Sequence, residues 1–586
     1  MRISDIQKGA FLKVMLMAFI FMIQISFFIR GRLVFAQAVV QPGCPMQNGF
    51  TELSSRFTDR MSGDPNLIVE EEDHIETCPA TPGAEKKGSE KLSLMSSIFV
   101  HQFDVVGNSS FSDEELAEVI TSYEKREISP EELQAAREAL TRFYIHRGYI
   151  TSGVIIPDQS VVDGVIILRV IEGRLANIEV EGNRYLHAGY ISDRLEIAGG
   201  PPLNVMELQQ ALQYLLQDHR IKRMNAHLSP GFLLGESILK VHVEEESPYL
   251  LEFGISNSQS PSVGSVRTEI RCAHQNLTGR GDALEGTAGV TKGSNDVKIS
   301  YALPLTAHDT TLKTEYRESD NLIIEEPFEG LDIKSEERTF GVGISHPFYR
   351  RMGGELSLSL GIEFRRSQTF LLGRPFSFSE GSEEGKSHLK VLRFAQLWTD
   401  RSLKQIIAVR SCFSLGLDSI GTSLNNTNAD ERFLSWLGQI HLWIRVGETD
   451  SVLVFRGNVQ LSNDPLLPLE RFAIGGMHTV RGYRENRLVR DNGMTASLEL
   501  QVPILEDHGD EAVLQGIIFF DFGKSWNSDT HTPDPKSLPG AGFGMKLAMI
   551  RHFRLQVYYG MPLRSIHTSG HDLQDHGVHF ELSGHF

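Results

Sequence analysis

Cysteine, tryptophan and positive charge are scarce in this 586-residue sequence, which has 4 Cys, 4 Trp and 57 Lys plus Arg against 75 Asp plus Glu. The net charge of −18 argues against a nucleic-acid binder, which needs a basic surface to neutralise phosphates. Long hydrophobic runs are missing beyond residue 29, where no segment reaches the roughly 20 apolar residues of a spanning helix. With a mean hydropathy of −0.18, a polytopic helical membrane protein is excluded. A transmembrane β-barrel is not, because its strands alternate apolar and polar residues and their membrane character averages away. Catalytic signatures are also absent: there is no HExxH, no G-x-S-x-G and no P-loop. No enzyme activity, cofactor or metal is therefore expected. What the chain does have is length enough for two to four domains, together with 53 Gly and 33 Phe, a composition that suits many hairpins and an aromatic girdle.

At the N-terminus, Arg2, Lys8 and Lys13 precede the apolar run from Val14 to Ile29, and Val34-Phe35-Ala36 offers a cleavage site. Residues 1–36 read as a secretory signal peptide. Arg30 and Arg32 also fit an uncleaved inner-membrane anchor. Residues 37–96 form a linker-like arm with five prolines between Pro42 and Pro82 and the acidic run Glu70-Glu71-Glu72-Asp73. Cys44 and Cys78 lie in this arm, where a disulfide between them would supply the restraint that apolar contacts do not; Cys272 and Cys412 fall in strand-like segments.

An internal repeat follows. Phe103-Asp104-Val105-Val106-Gly107-Asn108 matches Ile178-Glu179-Val180-Glu181-Gly182-Asn183, each an alternating strand ending in a Gly-Asn turn. After the first, Ser112 and Ser129-Pro130 open two helical patterns, and 153–156 and 164–170 read as strands. The second copy repeats this β-α-α-β-β order, with Leu208, Leu212 and Leu215 on its second helix and strands at 226–228 and 238–243. The two units span 97–173 and 174–247, each the size of a small domain.

From 248 to 586 alternation replaces helical periodicity: Leu356 to Phe364, Leu498 to Val502 and Phe553 to Tyr559 each place apolar residues on one face and polar or charged residues on the other. A soluble β-sandwich would alternate too, but these runs have the ten or so residues of a tilted membrane strand. The stretches 320–338, 366–388 and 418–432 read as long polar loops. About 340 residues accommodate sixteen strands of about ten residues, with fourteen or eighteen fitting almost as well. The predicted fold is thus an all-β transmembrane barrel preceded by two α+β units.

Three further features carry functional information. Val480-Arg481-Gly482-Tyr483 follows Phe472-Ala473-Ile474-Gly475-Gly476; Phe519-Phe520-Asp521-Phe522-Gly523 lies on a later strand-like run; and Asn276 to Asp282 precedes an early hairpin. Arg481 supplies a planar fork of donors and Asp521 a carboxylate acceptor. The two repeats resemble POTRA domains of the Omp85 superfamily. With two of them before a barrel, the chain is similar to the outer-membrane transporters of two-partner secretion, of the haemolysin secretion/activation type.

That resemblance implies a re-entrant loop with Val480, Arg481, Gly482 and Tyr483 at its tip, facing Phe519, Asp521 and Gly523 on the inner barrel wall. It also implies transport without an active site. An unfolded partner protein, captured in the periplasm through its N-terminal secretion domain, would pass through the barrel to the cell surface. Capture would use β-augmentation at the edge formed by Ala226, His227 and Leu228, with Leu208 and Leu212 on the neighbouring helix. The last strand, with Phe580, Leu582 and the terminal Phe586, resembles the signal read by the barrel-assembly machinery, and lipid and lipopolysaccharide would surround the barrel. An insertase for other outer-membrane proteins is the alternative on the same fold. His567, His571, His576 and His579 cluster near the C-terminus, but alternation turns His579 into the lumen, away from a site shared with the loop histidines.

Overall fold

The computed structural model describes residues 97–378, 384–417, 432–447, 450–506, 512–549, 552–566 and 570–586. The expected signal peptide, the arm and the Cys44–Cys78 pairing lie outside them. Of the described residues, those up to Glu246 form one compact unit and Ser247–Phe586 another.

The first unit holds both repeats. In the first repeat β1 (Ile98–Val100), β2 (Gln102–Val106), α1 (Asp113–Ile120), β3 (Arg126–Ile128), α2 (Pro130–His146), β4 (Gly153–Ile155) and β5 (Val165–Ile171) follow in order. The small β1–β3 ribbon is an addition to the predicted order. Ser112 and Ser129 close full capping boxes with Glu115 and Glu132, so both helices start where predicted. The second repeat comprises β6 (Arg174–Glu181), α3 (Ala188–Ala198), α4 (Val205–Leu216), β7 (Ile221–Pro230) and β8 (Glu236–Glu245). Each three-stranded sheet has a parallel pair, β2 with β5 and β6 with β8, and one antiparallel edge strand, β4 or β7. The helices cover one face of each sheet through separate cores, one around Leu116, Leu140 and Ile166, the other around Leu195, Leu208 and Val241.

The Gly-Asn repeat has a physical cause. Gly107 and Gly182 take φ of +85° and +83°, and an added Cβ would lie 2.6 Å from the Val170 carbonyl oxygen or 2.4 Å from that of Val243, so both positions require glycine. The Asn108 and Asn183 amides donate to the carbonyls of Phe111 and Leu186 at 2.6 and 2.9 Å. A carboxylate from the end of the last strand then clamps each turn. Glu172 accepts from the Ser109 and Ser110 N–H groups, Glu245 from those of Arg184 and Tyr185. Burial pushes the Glu172 carboxyl up, but the bonds from Ser109 and Ser110 outweigh it and hold it below the usual range. A depressed carboxyl pKa stabilises the fold above the ordinary carboxylate range, and that stability is lost as pH falls through it. Glu172→Gln is expected to lower the stability of residues 97–246 by about 1–2 kcal/mol at pH 7 and to flatten its acid dependence, measured by urea titration at pH 7 and pH 4.

The second unit is a closed antiparallel barrel of 16 long strands. They are β9 (Tyr249–Ser256), β10 (Arg267–His274), β11 (Ala283–Val290), β12 (Ser294–Pro304), β13 (Thr311–Leu322), β14 (Lys334–Arg351) and β15 (Gly354–Leu371), then, after the two-residue β16 (Arg374–Pro375), β17 (Lys386–Arg401), β18 (Gln405–Leu417), β19 (Leu434–Val446) and β20 (Ser451–Ser462). A loop hairpin of β21 (Phe472–Ile474) and β22 (Leu488–Arg490) intervenes before β23 (Asn492–Glu506), β24 (Ala512–Trp526), β25 (Ser537–Met549), β26 (Phe553–Pro562) and β27 (Val578–His585). β27 returns to β9, from Glu581 opposite Ser256 to His585 opposite Glu252. Cys272 sits on β10 and Cys412 on β18.

Exposed Phe340, Leu360, Phe364, Leu498, Ile518, Phe520, Phe543 and Phe553 project outward, as a lipid-facing surface requires. No helix among the described residues is long and apolar enough to cross a membrane. Two predicted loops are shorter than expected. Strands β13 and β14 take the ends of 320–338, and β15, β16 and β17 take much of 366–388. Cross-strand ladders such as Arg338 to Glu318 pair the polar residues there, so their polarity marks strand beyond the apolar belt rather than loop. Residues 418–431 lie outside the described set. Connections at the end where residue 248 leads into the barrel are short, Met352-Gly353 between β14 and β15 being one. The opposite end carries the longer ones, including 463–491.

Candidate functional site in the barrel lumen

The connection 463–491 does not stand out from the barrel. It folds back inside as the β21–β22 hairpin, paired from Phe472 opposite Arg490 to Ile474 opposite Leu488. Gly475 and Gly476, at φ +113° and +102°, turn the chain after β21. Phe472, Ile474, Val480, Tyr483 and Leu488 pack together with Leu538 of β25 into a core within the lumen. The chain thereby buries apolar side chains where an empty channel would hold water.

The tip carries the charge. Arg481 is 1% exposed. Its Nε donates to Asp521 Oδ2 at 2.8 Å, Nη2 to Asp521 Oδ1 at 2.9 Å and Nη1 to Glu499 Oε2 at 2.8 Å, and its backbone N–H also reaches Asp521 Oδ2, at 3.0 Å. The guanidinium lies 3.4 Å from the Phe519 ring centroid and 4.8 Å from that of Tyr558, within cation–π range. A guanidinium stays protonated in proteins, and Asp521 and Glu499 compensate its buried charge. Arg456 of β20 lies 2.9 Å from the same Glu499 oxygen. Arg481 and Arg456 thus face the buried carboxylates of Asp521 and Glu499, with Lys546 within electrostatic range of Glu499 as well.

Glycines let the tip lie flat on the wall. Gly482 has φ +93° and an N–H 3.3 Å from His579 Nε2. A Cβ on Gly540 would fall 2.4 Å from the Arg481 carbonyl oxygen, one on Gly560 2.3 Å from Gly482 N, and one on Gly523 2.4 Å from Ile474 Cγ2. The Tyr483 hydroxyl donates to the Pro539 carbonyl at 2.8 Å and accepts from Arg564 N–H at 3.1 Å. Arg484 Nη1 is 2.5 Å from Glu325 and its Nη2 2.7 Å from Asp575, while Glu485 N–H donates to Gln574 at 2.8 Å. The tip is thereby tied to two other connections at the same end of the barrel.

Val480, Arg481, Gly482, Tyr483, Phe519, Asp521 and Gly523 therefore meet at one place. Sequence reasoning missed Glu499, Tyr558, Gly540 and Gly560. A partial signal existed for two of them: Glu499 stands on the polar face of an alternating strand, though nothing linked it to Arg481, and Gly540, Gly542 and Gly544 recur every second residue, which leaves one face of β25 without side chains for another element to occupy. Asn276 to Asp282 forms the β10–β11 turn, where Asp282 accepts from Thr278 N–H at 2.8 Å and Tyr301 O–H at 2.8 Å. These bonds hold a turn of the barrel itself, far in sequence from the 463–491 loop.

In the first unit, β7 is an edge strand on which Ala226 and His227 are exposed and Leu228 half-buried. Leu208 must be corrected. It is 3% exposed and part of the domain core, because its side of α4 packs on the sheet, so it offers nothing to a partner. Leu212 is half-buried against the same core. On β27 the Phe580 and Leu582 side chains are half-buried. Phe586 N–H donates to the Leu251 carbonyl at 2.8 Å, and the Phe586 ring stacks on His552, 5.8 Å between centroids. His579 is fully buried in the lumen. His567 lies outside the described residues, and among those described no group of three or more His, Cys, Asp or Glu could hold a metal.

Comparison with known proteins places this arrangement. Over 374 residues the chain is 24% identical to the outer membrane transporter CdiB of Escherichia coli, covering 62% of this chain and 61% of that protein. Over 385 residues it is 25% identical to the hemolysin transporter protein ShlB of Serratia marcescens, covering 62% of this chain and 65% of the relative. The chain thus matches less than two thirds of the length of these two relatives. The solved structure of CdiB from Escherichia coli has the same fold, with a TM-score of 0.64 at 20% identity over 92% of this chain and 98% of that one. Residues 98–173 match the ShlB-type POTRA domain, and residues 235–547 match the haemolysin secretion/activation protein model. The chain belongs to the haemolysin secretion/activation protein family ShlB/FhaC/HecB.

Proposed function

We propose that this chain is an outer-membrane transporter of two-partner secretion, whose POTRA units at 97–173 and 174–247 stand in the periplasm and whose barrel at 248–586 passes a large, unfolded partner protein to the cell surface. The observation that carries the reading is the loop 463–491, folded into a closed barrel and held there by one buried arginine. A diffusion channel has no use for a buried arginine latched between two carboxylates; a channel that must stay shut until a protein arrives does. Residues 1–36 act as the export signal and 37–96 as a linker. Phe580, Leu582 and Phe586 suit recognition by the barrel-assembly machinery, and the outward apolar belt suits lipid and lipopolysaccharide. The work of such a chain is capture, passage and release, with no bond-making chemistry.

Capture is assigned to the free edge of β7. N–H groups of adjacent strand residues point to opposite edges, so of Ala226→Pro and His227→Pro one removes a bond to β8 and the other only an outward donor. Pull-down of an N-terminal secretion domain by residues 97–246 tests the reading. Binding should fall about ten-fold or more in the variant that keeps its thermal stability, since an added strand depends on main-chain bonds. Undiminished binding in both variants removes β7 from the mechanism. Capture of nascent barrel proteins instead of a secretion domain favours the insertase alternative.

A further inference from the structure

The loop is held at a second point, far from its tip. At its base the short 3-10 turn Pro468–Glu470 carries Glu470, which is 3% exposed. Its Oε1 lies 2.9 Å from Arg365 Nη1 and 2.8 Å from Arg393 Nη2, and Oε2 is 3.3 Å from Arg393 Nη1. Arg365 and Arg393 project into the lumen from β15 and β17 and are themselves 8% and 9% exposed. Glu363 of β15 pairs with both, at 2.8 and 3.1 Å. The backbone joins in: the Leu469 carbonyl accepts from Arg365 at 3.3 Å, and the Glu470 carbonyl accepts from the Gln460 amide at 2.8 Å.

This cluster mirrors the tip, buried arginines against buried carboxylates, with the roles reversed. At the tip the loop supplies the cation and the wall supplies the anions; at the base the loop supplies the anion. The side-chain partners of Glu470 stand on β15 and β17 and those of Arg481 on β23 and β24, with β18, β19 and β20 between them around the barrel; β20 itself touches both sites, through Gln460 at the base and Arg456 at the tip. They share no residue.

We propose that Glu470 is a second, independent latch that fixes the hinge of the loop, so that release of Arg481 swings the tip about residues 468–471 instead of ejecting the whole loop. Glu470 is a positioning residue: it acts through the loop. The physical reason is that each latch is a set of opposed buried charges, and losing one member leaves an uncompensated buried charge only at its own site. Breaking the tip therefore gives the base no reason to leave. A tethered loop reseats without searching, which makes closure after passage fast and repeatable. The proposal rests on the reading of 463–491 as the element that closes the lumen.

Single-channel conductance of the full-length protein in planar bilayers tests it, with heat-modifiable gel mobility reporting barrel folding. Arg481→Ala alone should give a partial conductance that flickers as the tethered tip returns. Glu470→Gln alone should keep the channel closed. Together they should give a larger, lasting open level, with the reclosing rate at least about ten-fold below that of Arg481→Ala. Because Glu470→Gln leaves two arginines facing Glu363, Glu470→Gln with Arg393→Met, which keeps the cluster neutral, must behave as Glu470→Gln does in both backgrounds. A double variant indistinguishable from Arg481→Ala, or a neutral-cluster variant that recloses normally, overturns the second latch while leaving the lumen-loop reading intact. Absence of any conductance change in Arg481→Ala overturns that reading itself, and the second latch with it.

Discussion

Arg481→Ala should abolish export of the partner protein and open the barrel to ions while leaving the barrel folded. The size of the effect follows from what the substitution leaves behind. Asp521 and Glu499 are 1% and 2% exposed and face Arg481 at hydrogen-bonding distance. Without the guanidinium Asp521 would lose the cation it pairs with, while Glu499 would keep Arg456, and breaking a buried ion pair from one side costs about 3–5 kcal/mol. The barrel wall cannot relax, because its backbone is fixed by cross-strand hydrogen bonds; the loop can. Water enters to solvate the carboxylates, and the loop tip leaves. Arg481→Lys should fail nearly as badly, since a point ammonium cannot bridge Asp521 and Glu499 while stacking on Phe519. Asp521→Asn should be milder, because Glu499 still compensates the guanidinium and an amide still accepts. A charge exchange, Arg481→Asp with Asp521→Arg, should restore activity only in part, for the carboxylate introduced at position 481 would face Glu499. Partner secretion and ion conductance measured across this series check the order: Arg481→Ala and Arg481→Lys lowest in secretion and highest in conductance, the exchange intermediate, Asp521→Asn nearest to the parent. Equal secretion by Arg481→Ala and the parent would dismiss the latch.

Much of this was legible in the residues, and the misses have identifiable causes. Alternation located the barrel strands because a two-sided sheet between lipid and lumen leaves no freedom of register: a one-residue slip would put Glu499 or Asp521 into lipid. The capping serines and the Gly-Asn turns were readable because each satisfies its own backbone locally. What was not readable depends on contacts between distant strands. Arg481 could be matched with Asp521 through resemblance, but only closure of the barrel brings Glu499 of β23 and Tyr558 of β26 around the same guanidinium. Glu470 gave no signal at all, being one of two glutamates in the 463–491 loop until β15 and β17 set two arginines against it. Leu208 was misplaced for a simpler reason. Helical spacing tells which residues share a face, but not whether that face meets the sheet or a partner, and here it meets the sheet.

Gly560→Val should release the loop as effectively as Arg481→Ala although it removes no charge and no hydrogen-bonding group. A Cβ at 560 would lie 2.3 Å from Gly482 N and 2.7 Å from the Arg481 carbonyl carbon, well inside contact distance. The obstructing atoms are backbone, so no rotamer change can make room. The valine itself is no burden to β26, since Gly560 is not at a positive φ and β-branched residues suit strands. Strain therefore falls on the loop, which must lift away from β25 and β26. Lifting by even about 1 Å stretches the bonds between Arg481 and Asp521 beyond useful length, so a steric insult of about 1–3 kcal/mol is amplified by loss of the latch. Gly286→Val is the matched control, because a Cβ there meets nothing within 4 Å; it should secrete and conduct as the parent does. If Gly560→Val also secreted normally and kept the channel closed, the loop tip could not be seated on the glycine wall in the working protein, and charge alone would have to hold it. If Gly560→Val opens the channel with Arg481, Asp521 and Glu499 all intact, the wall's missing side chains are as much a part of the latch as its charges: the ion pair supplies the strength, and the glycines supply the only approach close enough for that strength to be used.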